Sequence, residues 1–225
     1  YDINSNKLNL KEPSSFSPIN NQKFKIISFA PIWDLSNFLN YLLDNDQNKL
    51  INLDEIIACS STSTLTKRYE ANSFDKNLSS TLMKAEKKII GIAKHLNINC
   101  QIIRPTMIYG SINGVEDKNI SKILLIMRSL KFLVLPSISG MRQPIHAIQL
   151  ANVIFSLIYK PMHNENKKSC QIINVGGDQI LDYAQMINNL KDSLSMTDKA
   201  KKCLVLKIPN RRYLISILPV MFFSP

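Results

Sequence analysis

The chain has 225 residues, with 28 Lys plus Arg against 17 Asp plus Glu, so 28 − 17 leaves a net charge of +11. Apolar residues make up 45% and charged residues 20%, a globular composition that excludes a disordered chain and allows one domain, or a large lobe with a small one, around a core that needs no disulfide or metal staple. The 6 glycines exclude collagen, Gly-rich linkers and most all-β repeat architectures.

Residues 1–22 are polar, include Pro13 and Pro18, and read as a loop or frayed terminus. Residues 24–29 (FKIISF) form a short apolar run ending at Ala30-Pro31, which predicts a buried strand. Asp34 is expected to cap a helix through Phe38, Leu42 and Leu43. Residues 54–59 (DEIIAC) predict a second strand, followed by the hydroxyl cluster from Ser60 to Thr64. Over residues 77–96, Leu78, Leu82, Ala85, Ile89, Ile92 and Leu96 recur at three- and four-residue steps, one apolar helical stripe. Lys84, Lys87, Lys88 and His95 lie off it.

Residues 99–104 predict a strand that Pro105 breaks. Further on, the pattern predicts a helix over 119–130, a strand over 131–135, a helix over 148–159 and a strand over 171–175. A helix over 180–194, a strand over 203–208 and a helix from Arg211 onward complete the series. Strands alternating with such helices imply βαβ crossovers and a parallel sheet covered on both faces. The G-x-G-x-x-G turn of a dinucleotide-binding first strand is absent; Gly176-Gly177 comes far too late for it.

Cys59, Cys100, Cys170 and Cys203 show no C-x-x-C spacing and no nearby His, so no zinc signature; they read as reduced, mostly buried thiols and no metal is expected. No secretory signal opens the chain. The longest apolar run, residues 213–223, is interrupted by Ser216 and Pro219 and is far short of the ~20 residues that span a bilayer. A surface-lying helix there is the alternative. The cations are dispersed, without interleaved aromatics, so nucleic acid is not expected; they read as a solvated basic surface, with an anionic small-molecule substrate or cofactor as the functional alternative.

Several segments, in order, carry a resemblance. They are Ser28-Phe29-Ala30-Pro31; Ile57-Ala58-Cys59-Ser60-Ser61-Thr62-Ser63; the run from Ile103-Arg104-Pro105-Thr106 to Tyr109-Gly110; the run from Gly140-Met141-Arg142 to Ile145-His146-Ala147; and Asn174-Val175-Gly176-Gly177. Together they resemble the extended short-chain dehydrogenase/reductases, in particular the NAD-dependent epimerase/dehydratase group, over about residues 24–195. The resemblance implies an α/β fold: a Rossmann-like doubly wound parallel sheet lacking its first strands, plus a small C-terminal substrate lobe. The expected organisation is a polar segment at 1–22, a partial dinucleotide-binding domain at 23–110, and a mixed region at 111–225 that completes the sheet and forms the lobe. NAD or NADP is the implied cofactor, touched by Phe29, Ala30, Pro31, Ser60, Ser61 and Pro105.

Thr62 is the implied catalytic hydroxyl, able to polarise a carbonyl or sugar oxygen. Arg142 offers a planar fork that would hold the diphosphate of a nucleotide-sugar. The alternatives are a helix cap or solvated turn for Ser60 to Thr64, and a structural ion pair for Arg142. His146 reads as a structural histidine, and His95 and His163 as surface residues.

The chain departs from the family in the helix after the hydroxyl cluster. Working members carry Tyr-x-x-x-Lys there, a pair that exchanges a proton with the reacting oxygen. Matching Ala85-Glu86 to the family's Ala-Glu puts Leu78 and Leu82 in those places. A shift of two puts Ser80 and Lys84 there instead. With Tyr1 as first residue and no Gly-rich turn, the chain reads as an N-terminally truncated fragment or processed product. The expected activity is NAD(P)-dependent oxidoreduction, epimerisation or dehydration of a nucleotide-sugar or related anionic substrate, in a cytoplasmic protein that forms a possible homodimer. The alternative is a non-catalytic dinucleotide-binding protein serving as redox sensor, assembly factor or scaffold.

Overall fold

The computed structural model describes residues 8–18, 22–67, 73–159 and 168–210. The helix expected from Arg211 onward, the apolar run at 213–223 and His163 lie outside them. Strand β1 (Phe24–Ser28) leads to helix α1 (Ile32–Asn45), strand β2 (Leu53–Cys59), the one-turn helix α2 (Ser63–Thr66), the long helix α3 (Ser73–His95) and strand β3 (Asn99–Pro105). Three short strands follow, β4 (Ile108–Tyr109), β5 (Ser111–Ile112) and β6 (Val115–Glu116), then α4 (Ile120–Ser129), β7 (Phe132–Pro136) and β8 (Ile145–His146). The described chain continues with α5 (Ala147–Tyr159), β9 (Cys170–Val175), α6 (Tyr183–Ser193) and β10 (Leu204–Ile208).

The chain divides into two compact units, residues 1–106 with 150–175, and residues 107–149 with 176–225. The first is built on a sheet of order β1-β2-β3-β9 in which every neighbouring pair is parallel. Alternate residues point to opposite faces. Ile56, Ala58, Cys100 and Ile102 meet α1 and α3 in one core, with Phe38, Leu39, Leu42, Leu82, Ala85 and Ile89.

On the other face a polar string crosses three strands. Lys25 Nζ lies 2.7 Å from Glu55 Oε2, and Gln101 donates to Glu55 Oε1 at 2.7 Å. Lys25 also donates to the carbonyl of Ile158 at 3.2 Å, which ties the end of α5 to β1. The buried Glu55 thus has the partners that a charge in a sheet interior requires.

The N-terminal segment is more than a frayed end. Leu10 and Phe16 pack on the first core, with Phe16 edge-on to Phe38 at 5.5 Å, because these apolar side chains lose water by covering α1. Asp34 does not cap α1: Pro31 stands at the cap and Asp34 lies in the first turn, where its charge favours the helix N-terminus. Helix α3 starts one turn earlier than the apolar stripe predicts. Within it, Gly91 is exposed and a Cβ added there meets nothing within 4 Å. Gly91→Ala is therefore expected to stabilise the protein by about 0.5–1 kcal/mol, read as a higher urea midpoint at unchanged slope.

The second unit contains two features that the pattern reading passed over. Strands β5 and β6 form an antiparallel hairpin whose turn is Asn113-Gly114, both at positive φ, 51° and 80°. That pair of values is the turn chemistry of Asn-Gly hairpins. Strands β7 and β10 pair in parallel over a small core with Met127, Leu135, Ala184 and Ile187.

Asp117 organises the hairpin's return. Its carboxylate accepts from the backbone N–H of Asn119 at 2.8 Å and of Gly110 at 3.3 Å, from that of Ile120, and from the Ser121 hydroxyl. Partial burial works to raise its pKa, but these hydrogen bonds together outweigh it and hold the carboxyl below its ordinary value. A depressed carboxylate contributes stability that is present above its unfolded pKa, about 3.9, and lost as pH falls through the folded value. Asp117→Asn is expected to lower stability at pH 6, with the difference from wild type closing below about pH 4 in parallel urea titrations.

Candidate functional site

The carboxyl ends of β1, β2 and β3 lie side by side, since the three strands are adjacent and parallel. At the first end Phe29 is 58% exposed, Ala30 is half-buried and Pro31 opens α1. At the second, the hydroxyl turn is stitched onto β3. Ser60 N–H donates to the Ile103 carbonyl at 2.7 Å, and Thr62 N–H to the Pro105 carbonyl at 3.0 Å. Pro105 does not break β3 but closes it, registered with Val175 of β9.

The hydroxyls mostly serve the local fold. Ser60 donates to Glu86 at 2.5 Å, Ser61 to Ser63 at 3.0 Å, and Thr64 to the Ser61 carbonyl at 2.9 Å. Thr62 stands before α2 and makes no side-chain cap there; its hydroxyl donates to the Pro105 carbonyl at 3.2 Å. Of the cluster, Thr62 holds its proton on the longest of these side-chain bonds, the easiest to redirect toward another acceptor.

Helix α3 supplies a group that sequence reading used only for alignment. Glu86 is 2% exposed and pairs with Arg104 by two bonds, Nε to Oε1 at 2.9 Å and Nη2 to Oε2 at 2.5 Å. With Ser60 this makes a closed three-residue network under the hydroxyl turn. The available signal was an acidic residue one step from the apolar stripe and an Arg at a strand end.

Leu82 is buried in the first core and Leu78 packs against it, while Lys84 is exposed and Ser80 only partly buried. Between the leucines, the buried Ser79 donates to the Thr64 carbonyl at 2.9 Å, tying this turn of α3 to the hydroxyl segment. The inner face of α3 here therefore carries Leu78, Ser79 and Leu82.

In the second unit, Arg142 and Leu181 exchange two backbone hydrogen bonds, each 2.7 Å. That bridge takes residues 180–181 out of the predicted helix, and α6 begins instead behind a capping box in which Asp182 accepts from Gln185 N–H and the Gln185 side chain from Asp182 N–H. The Arg142 guanidinium lies 5.1 Å from the centre of the Tyr183 ring and donates to the Met141 carbonyl at 3.0 Å. Among the described residues no carboxylate pairs with it. It lines a cleft of about 470 Å³ with Ser139, Tyr183 and Asn210. Asn210 holds one wall by bonding both backbone groups of Ile138, at 3.0 and 2.9 Å.

His146 is structural: its Nδ1 accepts from Ile148 N–H at 3.2 Å, at the start of α5, and its ring meets Tyr109 edge-on at 5.2 Å. Burial pushes the Cys59 thiol up to about 11 and the Cys100 thiol up to about 12, so neither is a nucleophile near neutral pH. Among the described residues no group of His, Cys, Asp and Glu could hold a metal ion, and no helix is long and apolar enough to cross a membrane.

No family model and no curated protein matches the sequence. Among solved structures, the chain is similar to UDP-glucuronic acid 4-epimerase from Bacillus cereus in complex with NAD, with a TM-score of 0.54 and 17% identity over 77% of this chain and 55% of that one. It is also similar to UDP-glucose 4-epimerase from Bifidobacterium longum in complex with NAD+ and UDP, at a TM-score of 0.60 and 15% identity over 85% and 66%. A third is RMD from Pseudomonas aeruginosa complexed with NADPH, at 0.60 and 13% over 90% and 76%. The chain spans about half the length of the Bacillus epimerase, at 55%. At such identities the likeness is one of fold, and the parallel β1-β2-β3-β9 sheet with its flanking helices accordingly has a Rossmann-like α/β fold, which it shares with these NAD- and NADP-complexed structures.

Proposed function

We propose that this chain takes part in NAD(P)-dependent epimerisation, dehydration or oxidoreduction of a nucleotide-sugar or a related anionic substrate. The observation that carries the reading is the Arg142 cleft: a guanidinium without a carboxylate partner among the described residues, beside an aromatic ring, in a cavity of about 470 Å³. A planar fork of this kind suits a phosphate, and the ring suits a base or sugar face.

The strand ends fit a dinucleotide in part. Phe29, Ala30 and Pro31 offer accessible surface, and Ser61 and Pro105 lie on adjacent strand ends. The Ser60 hydroxyl is already given to Glu86 and its N–H to the Ile103 carbonyl, so its role would fall to its own carbonyl oxygen. The cofactor's chemistry is to accept or return a hydride. Thr62 would turn its hydroxyl hydrogen bond from the Pro105 carbonyl to the oxygen at the reacting carbon and so polarise it.

A second reading, a non-catalytic dinucleotide-binding protein, is favoured by Leu78 and Leu82. Neither hydrocarbon can carry a proton, and they stand on the inner face of α3.

The test titrates the protein with UDP-sugars, NAD+ and NADP+ by calorimetry and assays turnover on the same panel. Arg142→Ala is expected to weaken UDP-sugar binding about 10- to 100-fold, the worth of charge-assisted hydrogen bonds. Thr62→Ala is expected to lower kcat on the order of 100-fold with KM little changed. Binding without turnover selects the second reading. Absence of any nucleotide or dinucleotide binding overturns both.

A further inference from the structure

The second unit holds another cavity, of about 430 Å³, which shares no lining residue with the Arg142 cleft. Its size is that of small-molecule sites. One wall is α6, where Met186, Asn189, Leu190 and Ser193 follow at three- and four-residue steps and so form a single stripe. A stripe packed against a core is apolar throughout; this one alternates hydrocarbon with an amide and a hydroxyl.

Facing groups are polar and held in place. Gln149 accepts from His146 N–H at 3.2 Å and donates to Asp178 at 3.3 Å, while Asn189 donates to Gln179 at 3.4 Å. Asp178 follows Gly177, whose backbone is clasped on both sides by Gln143, at 3.3 and 2.8 Å. The carboxylate is thus presented from a fixed turn. Tyr109, steadied edge-on by His146, adds a ring, and Leu181 adds apolar surface.

Charge narrows the ligand. Among the described residues no Lys or Arg lines this cavity, and Asp178 does. A phosphate or carboxylate would be repelled here. Planar carboxylate and amide groups offer donors and acceptors in pairs, matching vicinal hydroxyls, while the ring and hydrocarbon match C–H faces. We propose that this cavity binds an uncharged carbohydrate ring, either a free sugar or one unit of a glycan. The site is separate from the nucleotide-sugar reading and does not depend on it.

Saturation-transfer NMR on the full chain tests it, with glucose, galactose, N-acetylglucosamine and their methyl glycosides, and with inorganic phosphate and uridine as counter-probes. At least one hexose is expected to bind with Kd on the order of 1 mM, as its few heavy atoms allow. Asp178→Ala with Asn189→Leu is expected to weaken that binding about 10-fold, while Arg142→Ala leaves it unchanged. All three positions are at least partly exposed, and Asn189→Leu alone serves if the double variant fails to fold.

Equal binding of the methyl glycoside points to a glycan unit, and its loss points to a free reducing sugar. No transfer to any hexose overturns the proposal, as does hexose binding untouched by the variants. Uridine or phosphate binding that Asn189→Leu abolishes overturns it too. Failure of UDP-sugars to bind bears on the Arg142 cleft alone.

Discussion

Glu86→Ala is expected to destabilise the protein by about 3–5 kcal/mol, the loss typical of breaking a buried ion pair from one side. Glu86 and Arg104 side chains are 3% and 12% exposed, and the carboxylate takes both arms of the guanidinium and the Ser60 hydroxyl. Its removal leaves a guanidinium and a hydroxyl without their acceptor in a place with little water. For a chain of this size each kcal/mol moves Tm by about 2–4 °C, so a fall of roughly 10 °C is expected in a thermal melt.

The second arm of the experiment separates pairing from packing. Glu86→Leu with Arg104→Met removes both charges and keeps volume, and is expected to recover more than half of the loss, because an apolar pair can match a buried ion pair. A single-variant loss below about 1 kcal/mol would class the pair with solvent-exposed bridges and remove the support assigned to the hydroxyl turn.

Gly177→Ala is the other large expected loss, about 2–3 kcal/mol or more. A Cβ there would stand 1.9 Å from the Pro144 carbonyl oxygen and 2.9 Å from its carbon, backbone atoms that cannot swing aside. Gly176→Ala is the control. Its nearest atoms, at 2.5 and 2.6 Å, belong to the Gln143 side chain, whose end can rotate away at the cost of one hydrogen bond, that to the Gly177 carbonyl. Urea denaturation of the two variants should place Gly177→Ala well below Gly176→Ala. Equal midpoints would mean that the turn is free to shift off Pro144. Because Asp178 hangs on the same turn, the Gly177 variant should also weaken hexose binding in the second cavity.

How much of this was legible beforehand differs from element to element. Strands β1, β2, β3 and β9 and helix α3 were readable because short apolar runs and a long apolar stripe differ in period. The hairpin at Asn113-Gly114 was readable too, from a turn pair whose φ values only such residues adopt easily, but strands of two residues carry no period to draw attention to it. The start of α6 was signalled by Asp182 and Gln185 at capping-box spacing, and the apolar Ile180 and Leu181 pulled the predicted boundary upstream.

The chain's own sequence determined the alternation of strands and helices, the hydroxyl turn after β2, and the apolar stripe of α3 with Leu78 and Leu82. Those follow from local preference, period and spacing, all contained in neighbouring residues. Only the tertiary structure decided that Glu86 meets Arg104 and Ser60, that Arg142 lies against Tyr183 without a carboxylate among the described residues, and that Gly177 presses on Pro144. Each is a contact between segments well apart in the chain. A side chain's partner across such a gap is set by how strands register and how helices pack, and a charged residue's role, pair or free cation, depends on that partner.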